Sequence, residues 1–171
     1  PRSIELVKKR FALEGLPVDA QVGDAERLPF ANGSFDVVYS FGVLHHTPNT
    51  QQAIDEIYRV LRPGGKIIIM LYHKRSLHVW LGAPLYRFSS KYKNHSLSLS
   101  DDWVRVYDGD MNPLGKAYRK SDVKAMFSHF KYFSTTLCDP IRKSYPGALI
   151  AVNQAFLARW TGFWMVVKGE N

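Results

Sequence analysis

Three short stretches of this chain gather residue types that can do chemistry. In Gly23-Asp24-Ala25-Glu26-Arg27-Leu28-Pro29-Phe30 a short acid follows an apolar segment. Open parallel sheets bind ligands beyond the C-terminal ends of their strands. A carboxylate there accepts a hydrogen bond from an exocyclic amino group, and the next backbone N–H donates to a ring nitrogen. Asp24 with Ala25 therefore suits the edge of an adenine, although the same residues also read as a solvated acidic turn. In Ser34-Phe35-Asp36-Val37-Val38-Tyr39-Ser40-Phe41-Gly42-Val43-Leu44-His45-His46 an apolar run opens into a loop. Ser40, Phe41 and Gly42 would present backbone to a ligand, and Gly42 permits close approach. Asp36 sits at the other end of the run and reads as a turn or capping residue. His45 and His46 suit general-base work because imidazole titrates near neutral pH. Their alternative is a packed or exposed loop histidine. The third stretch, Arg59 to Met70, is structural: it closes a helix onto the next strand, and no chemistry is assigned to it.

The elements that must position these residues follow from apolar periodicity and turn chemistry. Arg2 to Glu14 reads as a helix with Ile4, Leu6, Val7, Phe11 and Leu13 in a stripe, stopped by Gly15. Val18 to Val22 reads as a short strand after Pro17, Gly23 to Ser34 as a loop, and Phe35 to Phe41 as a buried strand. Gln51 to Leu61 is predicted as a helix with Ile54, Ile57, Tyr58 and Leu61 on one face and Asn49 or Thr50 as its cap. Arg62-Pro63-Gly64-Gly65 stops it, and Lys66 to Tyr72 is a third buried strand. Beyond Tyr72 the texture is aromatic and weakly periodic, with a helix over Leu77 to Lys91 and a turn at Asp108 to Pro113. Ser121 to Phe127 reads as a helix capped by Ser121, Phe130 to Cys138 as a strand, Pro146 to Ala158 as a helix and Gly162 to Lys168 as a last strand. The strand–helix–strand order predicts a parallel sheet with crossover helices, an α/β fold.

Composition narrows the function classes. The chain has 171 residues, enough for one domain with a core, and 46% of them are hydrophobic, which argues against disorder. No apolar run is long enough to span a membrane. A lone cysteine, Cys138, cannot form an internal disulfide and suits a reducing cytoplasm. The net charge of +8 is dispersed, with no run of five basic residues and no nucleic-acid motif, so no nucleic-acid partner is expected. No metal site is expected either: His45, His46 and His73 lack carboxylate or cysteine support, and Asp108 to Asn112 lacks the glutamate of a calcium loop.

Gly23–Phe30, Ser34–His46 and Leu61–Met70, in this order and spacing, resemble the class I S-adenosylmethionine (AdoMet)-dependent methyltransferases. They are most similar to the group containing the ubiquinone and menaquinone C-methyltransferases. The likeness is confined to the part of the chain before Tyr72. It implies a Rossmann-like, doubly wound, mostly parallel sheet. By residue it implies AdoMet as cofactor, Asp24 and Ala25 at its adenine, Ser40, Phe41 and Gly42 beside its methionine end, and His45 or His46 toward the reaction centre. It implies methyl transfer to a small-molecule acceptor. Residues 1–72 would form the cofactor side, 73–120 an aromatic acceptor lid and 121–171 the rest of the sheet. The family's Asp-x-Gly-x-Gly-x-Gly loop and ribose-binding acid have no counterpart here, and Pro1 to Ile4 looks like the residues just after that acid. The chain is thus expected to lack the family's first two strands, to leave Val18–Val22 without its neighbour, and to bind AdoMet poorly alone. Two other readings remain open: a degenerate domain serving as a binding scaffold, and an RNA or protein methyltransferase. Against base methylation stands Ser40-Phe41-Gly42-Val43, where such enzymes often carry Asn-Pro-Pro-Tyr.

Overall fold

The computed structural model describes residues 2–76, 79–80, 108, 114–138 and 158–171. The expected helix over Leu77–Lys91 lies outside them apart from Val79 and Trp80. So do the turn at Asp108–Pro113 apart from Asp108, the helix over Pro146–Ala158 apart from Ala158, and most of the expected lid.

Two consecutive strands and the helix between them form the unit that carries the candidate site. Strand β1 (Phe35–Phe41) leads through a single 3-10 turn (Leu44–His46) into helix α1 (Thr50–Val60), which crosses over to strand β2 (Leu61–His73). Asn49 caps α1 by accepting the Gln52 N–H at 3.2 Å, which satisfies one of the donors that a helix start leaves free. Ala53, Ile54, Ile57 and Val60 recur with helical spacing and are all buried. Ala53, Ile54 and Ile57 pack in one cluster with Ile67, Ile69 and Leu71 of β2, which alternate with residues of the opposite face as a strand requires. On that opposite face Met70 and Tyr72 pack with Phe163.

The rest of the sheet is built around β2. Strand β3 (Ala117–Tyr118) pairs with its far end, and helix α2 (Lys120–Met126) follows. Strand β4 (Lys131–Cys138), the short helix α3 (Ala158–Thr161) and strand β5 (Trp164–Glu170) complete the described elements. The strand order is β1-β2-β5-β4, with β3 paired to β2 off that path. β1 and β3 run parallel to β2, whereas β5 is antiparallel to both β2 and β4. The α/β class holds, but the sheet is mixed rather than mostly parallel. The reason is that the last strand inserts between β2 and β4 in the reverse direction.

Two further expectations are corrected, and the first helix holds with its face uncovered. Val18–Val22 forms no strand: no neighbouring strand is present among the described residues to take its backbone hydrogen bonds, and an unpaired strand has no ladder to hold it. The helix at the start of the chain, α0 (Arg2–Leu13), does form, yet none of its residues is buried. Leu6, Val7, Phe11 and Leu13 of its stripe are exposed, Leu13 to 85%, and only Ile4 is partly buried, so the described residues leave most of its apolar face uncovered. The helix expected to be capped by Ser121 begins at Lys120 with Arg119 as its N-cap, whose N–H donates to the Asp122 carboxylate at 2.8 Å.

The turn Arg62–Gly65 is absorbed into β2. Phe35 pairs with Leu61 and Val37 already with Lys66, so the four residues 62–65 loop out of register between them. The excursion is held by Asn171, whose N–H donates to Gly65 O at 2.9 Å and whose carbonyl accepts the Gly64 N–H at 2.9 Å. A Cβ on Gly65 would lie 2.9 Å from Arg62 O, 2.9 Å from Leu61 Cδ2 and 3.2 Å from Phe35 O. Gly65→Ala should therefore destabilise the fold by about 1–3 kcal/mol through overpacking. Urea denaturation checks this, and an unchanged midpoint would contradict it.

Candidate functional site

A cavity of about 420 Å³ opens at the C-terminal end of β1. Ala25 and Leu28 from the loop before β1, Ser40 and Phe41 from the strand, Leu44 from the 3-10 turn and Ile57 from α1 are among its lining residues. The position follows the rule for open sheets, beyond the strand C-termini. Of the residues singled out in the sequence, Ala25, Ser40 and Phe41 come together on this wall. Gly42 does not line it. Its backbone is left-handed at φ +74°, a conformation that side chains other than glycine adopt only with strain, and it lets the chain turn from β1 toward the histidines. Asp24 does not line the cavity either; it precedes the wall residue Ala25 in a tight turn, where its Oδ1 accepts the Glu26 N–H at 2.9 Å.

The loop carrying Ala25 and Leu28 has no regular secondary structure beyond an isolated bridge between Asp24 and Arg27, so something else must hold it over the cavity. That is Arg59, in the stretch to which the sequence assigned no chemistry. Its guanidinium donates to both carboxylate oxygens of Glu56 at 2.7 and 2.8 Å. It also donates to the carbonyls of Phe30 at 2.8 Å and Leu28 at 3.1 Å, and to Asn32 Oδ1 at 2.9 Å. Glu56 Oε2 accepts the Leu28 N–H at 2.8 Å. Glu26 ties the same loop to the start of α1 by accepting the Asn49 N–H at 2.6 Å. The Arg59 bond holds the Glu56 carboxyl below its usual range, burial opposing and the Leu28 N–H assisting. The helical i, i+3 spacing of Glu56 and Arg59 was a readable signal for the pair, but the loop carbonyls they serve were not.

Beyond the cavity, the two adjacent histidines have opposite environments. His45 is 0% exposed, with its ring 3.8 Å from that of Tyr72 and 4.1 Å from that of His46, centroid to centroid. Neither of its ring nitrogens has a hydrogen-bond partner in good geometry. Burial, reinforced by His46, pushes its pKa down to about 3, and the Met70 backbone offsets only part of this. His45 is therefore a neutral packing residue at ordinary pH. His46 is half-buried, with Nδ1 2.6 Å from Leu114 O and Nε2 3.5 Å from Asp108 Oδ2. Asp108 Oδ1 accepts the Tyr72 hydroxyl at 2.9 Å. Both ring nitrogens of His46 thus face oxygen acceptors, and a neutral imidazole supplies one N–H only. The segment before β3 fixes this turn from outside: the Lys116 N–H donates to His45 O at 2.9 Å, and Tyr118 Oη donates to Thr50 Oγ1 at 2.8 Å. Tyr72 and Asp108 are far apart in sequence, and no spacing signal joined them. Among the described residues no group of three histidine, cysteine or acidic side chains is placed to hold a metal ion.

Residues 1–69 match the family model described as a methyltransferase domain, which is less than half of the chain. The chain is 46% identical over 67 residues to the phthiotriol/phenolphthiotriol dimycocerosates methyltransferase of Mycobacterium leprae, covering 39% of this chain and 24% of that protein. It is 40% identical over 67 residues to the ubiquinone/menaquinone biosynthesis C-methyltransferase of Desulfotalea psychrophila, covering 39% and 26%. It is 35% identical over 71 residues to a sterol 4-C-methyltransferase of Caenorhabditis elegans, covering 40% and 21%. The matched stretch thus spans about a quarter of the curated relatives' own length. Among solved structures, a SAM-dependent methyltransferase from Thermotoga maritima, described as a possible histamine N-methyltransferase, superimposes with a TM-score of 0.60 at 19% identity, covering 99% of this chain and 69% of that one. The YcgJ protein from Bacillus subtilis gives 0.63 at 19% identity, covering 98% and 77%. At such identity the structural likeness is one of fold.

Two outcomes follow. Arg59→Leu should release the loop, so that the amides of Leu28 and Gly33, which donate to Glu56 Oε2 and Arg59 O, exchange with deuterium faster than in the parent while β2 amides keep their protection. Equal exchange at Leu28 would refute the clamp. Unfolded histidine takes up its proton near pH 6.5, whereas folded His45 does so only near 3. Between these values the unfolded state holds the extra proton, so stability is full above 6.5 and falls as pH drops, by up to ~1.4 kcal/mol per pH unit. His73, also lowered by burial, adds to the slope. Urea titrations of wild type and His45→Gln from pH 7 to 4.5 should show the variant's slope smaller by about one proton; parallel slopes would contradict a buried neutral His45.

Proposed function

We propose that this chain forms the adenine side and part of the acceptor side of an AdoMet-dependent methyltransferase acting on a small, largely apolar molecule. The observation that carries the reading is the cavity bounded by Ala25, Leu28, Ser40 and Phe41, at the sheet edge where the family-matched segment ends β1. The residues present fit the cofactor. In this reading Asp24, next to the wall residue Ala25, would accept from the adenine amino group while the Ala25 N–H donates to the ring, Leu28 and Ile57 would face the ring as an apolar wall, and the Ser40–Gly42 backbone would lead toward the acceptor side. When bound, AdoMet supplies a methyl group already activated on a sulfonium, so the protein's task is chiefly alignment.

The chain's own groups divide that task. The Arg59–Glu56 clamp holds the adenine wall. His45, neutral and buried, supports Tyr72 from beneath. His46, Asp108 and Tyr72 form the polar cluster available to an acceptor proton, which is where the general-base role expected of a histidine fits best. The relatives are named for phthiotriol, quinone and sterol substrates, and this favours an apolar acceptor. No helix among the described residues is long and apolar enough to cross a membrane.

Neither a glycine-rich loop nor a ribose-binding acid occurs in this chain, so its isolated affinity for AdoMet should be weak. In an NMR titration with S-adenosylhomocysteine, amide shifts should appear at Asp24, Ala25 and Ser40–Gly42 without saturating below about a millimolar, and Ala25→Trp should abolish them. Saturation in the micromolar range would overturn the weak-binding expectation. Shifts that spare these residues would overturn the placement of the cofactor.

A further inference from the structure

A second cavity of about 420 Å³ lies at the far end of β2 and differs in character from the first. It is lined by His73 and Arg75 from the end of β2, by Arg119, Lys120 and Ser121 from the start of α2, and by Trp160 from α3. Among the described residues three cations line this hollow and no carboxylate does. Among the described residues Arg75, Arg119 and Lys120 take part in no ion pair. The nearest acid in sequence, Asp122, is already engaged: its Oδ2 accepts the Arg119 N–H at 2.8 Å and its Oδ1 the Ser121 hydroxyl at 3.3 Å.

His73 does not relieve the excess charge, nor does it add to it. Its Nδ1 lies 3.1 Å from Gly162 O, so the ring proton is donated there. Burial lowers its pKa, the Gly162 carbonyl opposes, and Lys120 and Arg75 lower it further. Burial first, and the positive field of the groove after it, favour the neutral imidazole. Like charges gathered around one concavity repel one another, and a bound anion removes that cost. Guanidinium forks match the oxygens of an oxyanion in bidentate geometry, and the lysine adds a point charge. Beside them Trp160 holds its indole 69% exposed, a large flat apolar surface with no covering element among the described residues. Exposed tryptophan of this kind is a stacking surface for a ring.

We propose that this groove binds a phosphate monoester whose substituent is a flat, apolar ring: Arg75, Arg119 and Lys120 take the dianion and Trp160 takes the ring. The site is distinct from the adenine-side cavity, and its test reads anion binding directly, so it stands or falls apart from methyl transfer.

Calorimetric titration of phenyl phosphate into the 171-residue chain tests it, with inorganic phosphate and benzoate as comparison ligands. Phenyl phosphate should bind saturably and roughly tenfold more tightly than either comparison ligand. The double variant Arg119→Ser, Lys120→Ser should weaken it by about tenfold or more, and Arg75→Gln provides a second, single-site readout if the double variant folds poorly. Trp160→Ala should erase the advantage of phenyl phosphate over inorganic phosphate. Lys8→Ser, Lys9→Ser, the same charge change on the exposed first helix, should leave binding unaltered. Absence of saturable binding, equal affinity for benzoate, or an equal loss from the Lys8 and Lys9 variant would overturn the proposal.

Discussion

The five hydrogen bonds donated by Arg59 are the constraint on which the candidate site depends. The loop from Asp24 to Ser34 has almost no ladder of its own, and its carbonyls need partners wherever they leave water. One guanidinium, with its donors in a fixed fork, serves Leu28, Phe30 and Asn32 while its charge is matched by Glu56 one turn earlier on the same helix. Charge-assisted bonds of this kind are stronger and more directional than neutral ones. The loop is thereby mounted on α1, and α1 is mounted on β2 by its buried apolar stripe. Ala25 and Leu28 reach the cavity wall only through that chain of supports.

β2 is the other member of the frame. It is bonded on one side to β1 and on the other to β5, with β3 at its far end. Its two faces feed two separate apolar clusters, which is why nearly every residue from Ile67 to His73 is buried. β1, by contrast, stands at the end of the strand order, with Val37 and Tyr39 more than half exposed. The first helix and the Val18–Val22 segment lie on the same early part of the chain, and none of their residues is buried. Periodicity gave a sound helix in one case and a strand without a ladder in the other. A helix closes its own hydrogen bonds, and a strand cannot.

His45 and His46 show how far two neighbouring residues of one type can part. A 3-10 turn rotates successive side chains by about 120°, and here it drives His45 into the core against Tyr72 and leaves His46 toward Asp108. The buried ring is held neutral by desolvation. The outer ring joins a polar cluster whose other members come from the end of β2 and from a segment far along the chain.

The likeness to methyltransferases over residues 1–69, the α/β class, the extent of α1 and the burial of β1's successor strand were legible in the sequence, because three motifs in fixed order and a 3.6-residue apolar period are local properties. Ser40 and Phe41 line the first cavity from the end of β1, whose place the strand–helix–strand order dictates, whereas Ala25 reaches it from a loop. The reversed insertion of β5, the grip of Arg59 on three loop residues, the division of labour between His45 and His46, and the meeting of Tyr72 with Asp108 depend on contacts between residues distant in sequence. Apolar patterning says that a residue must be buried, but not against what; only the packed chain decides which polar group a buried or half-buried side chain meets, and that meeting sets its protonation and its use.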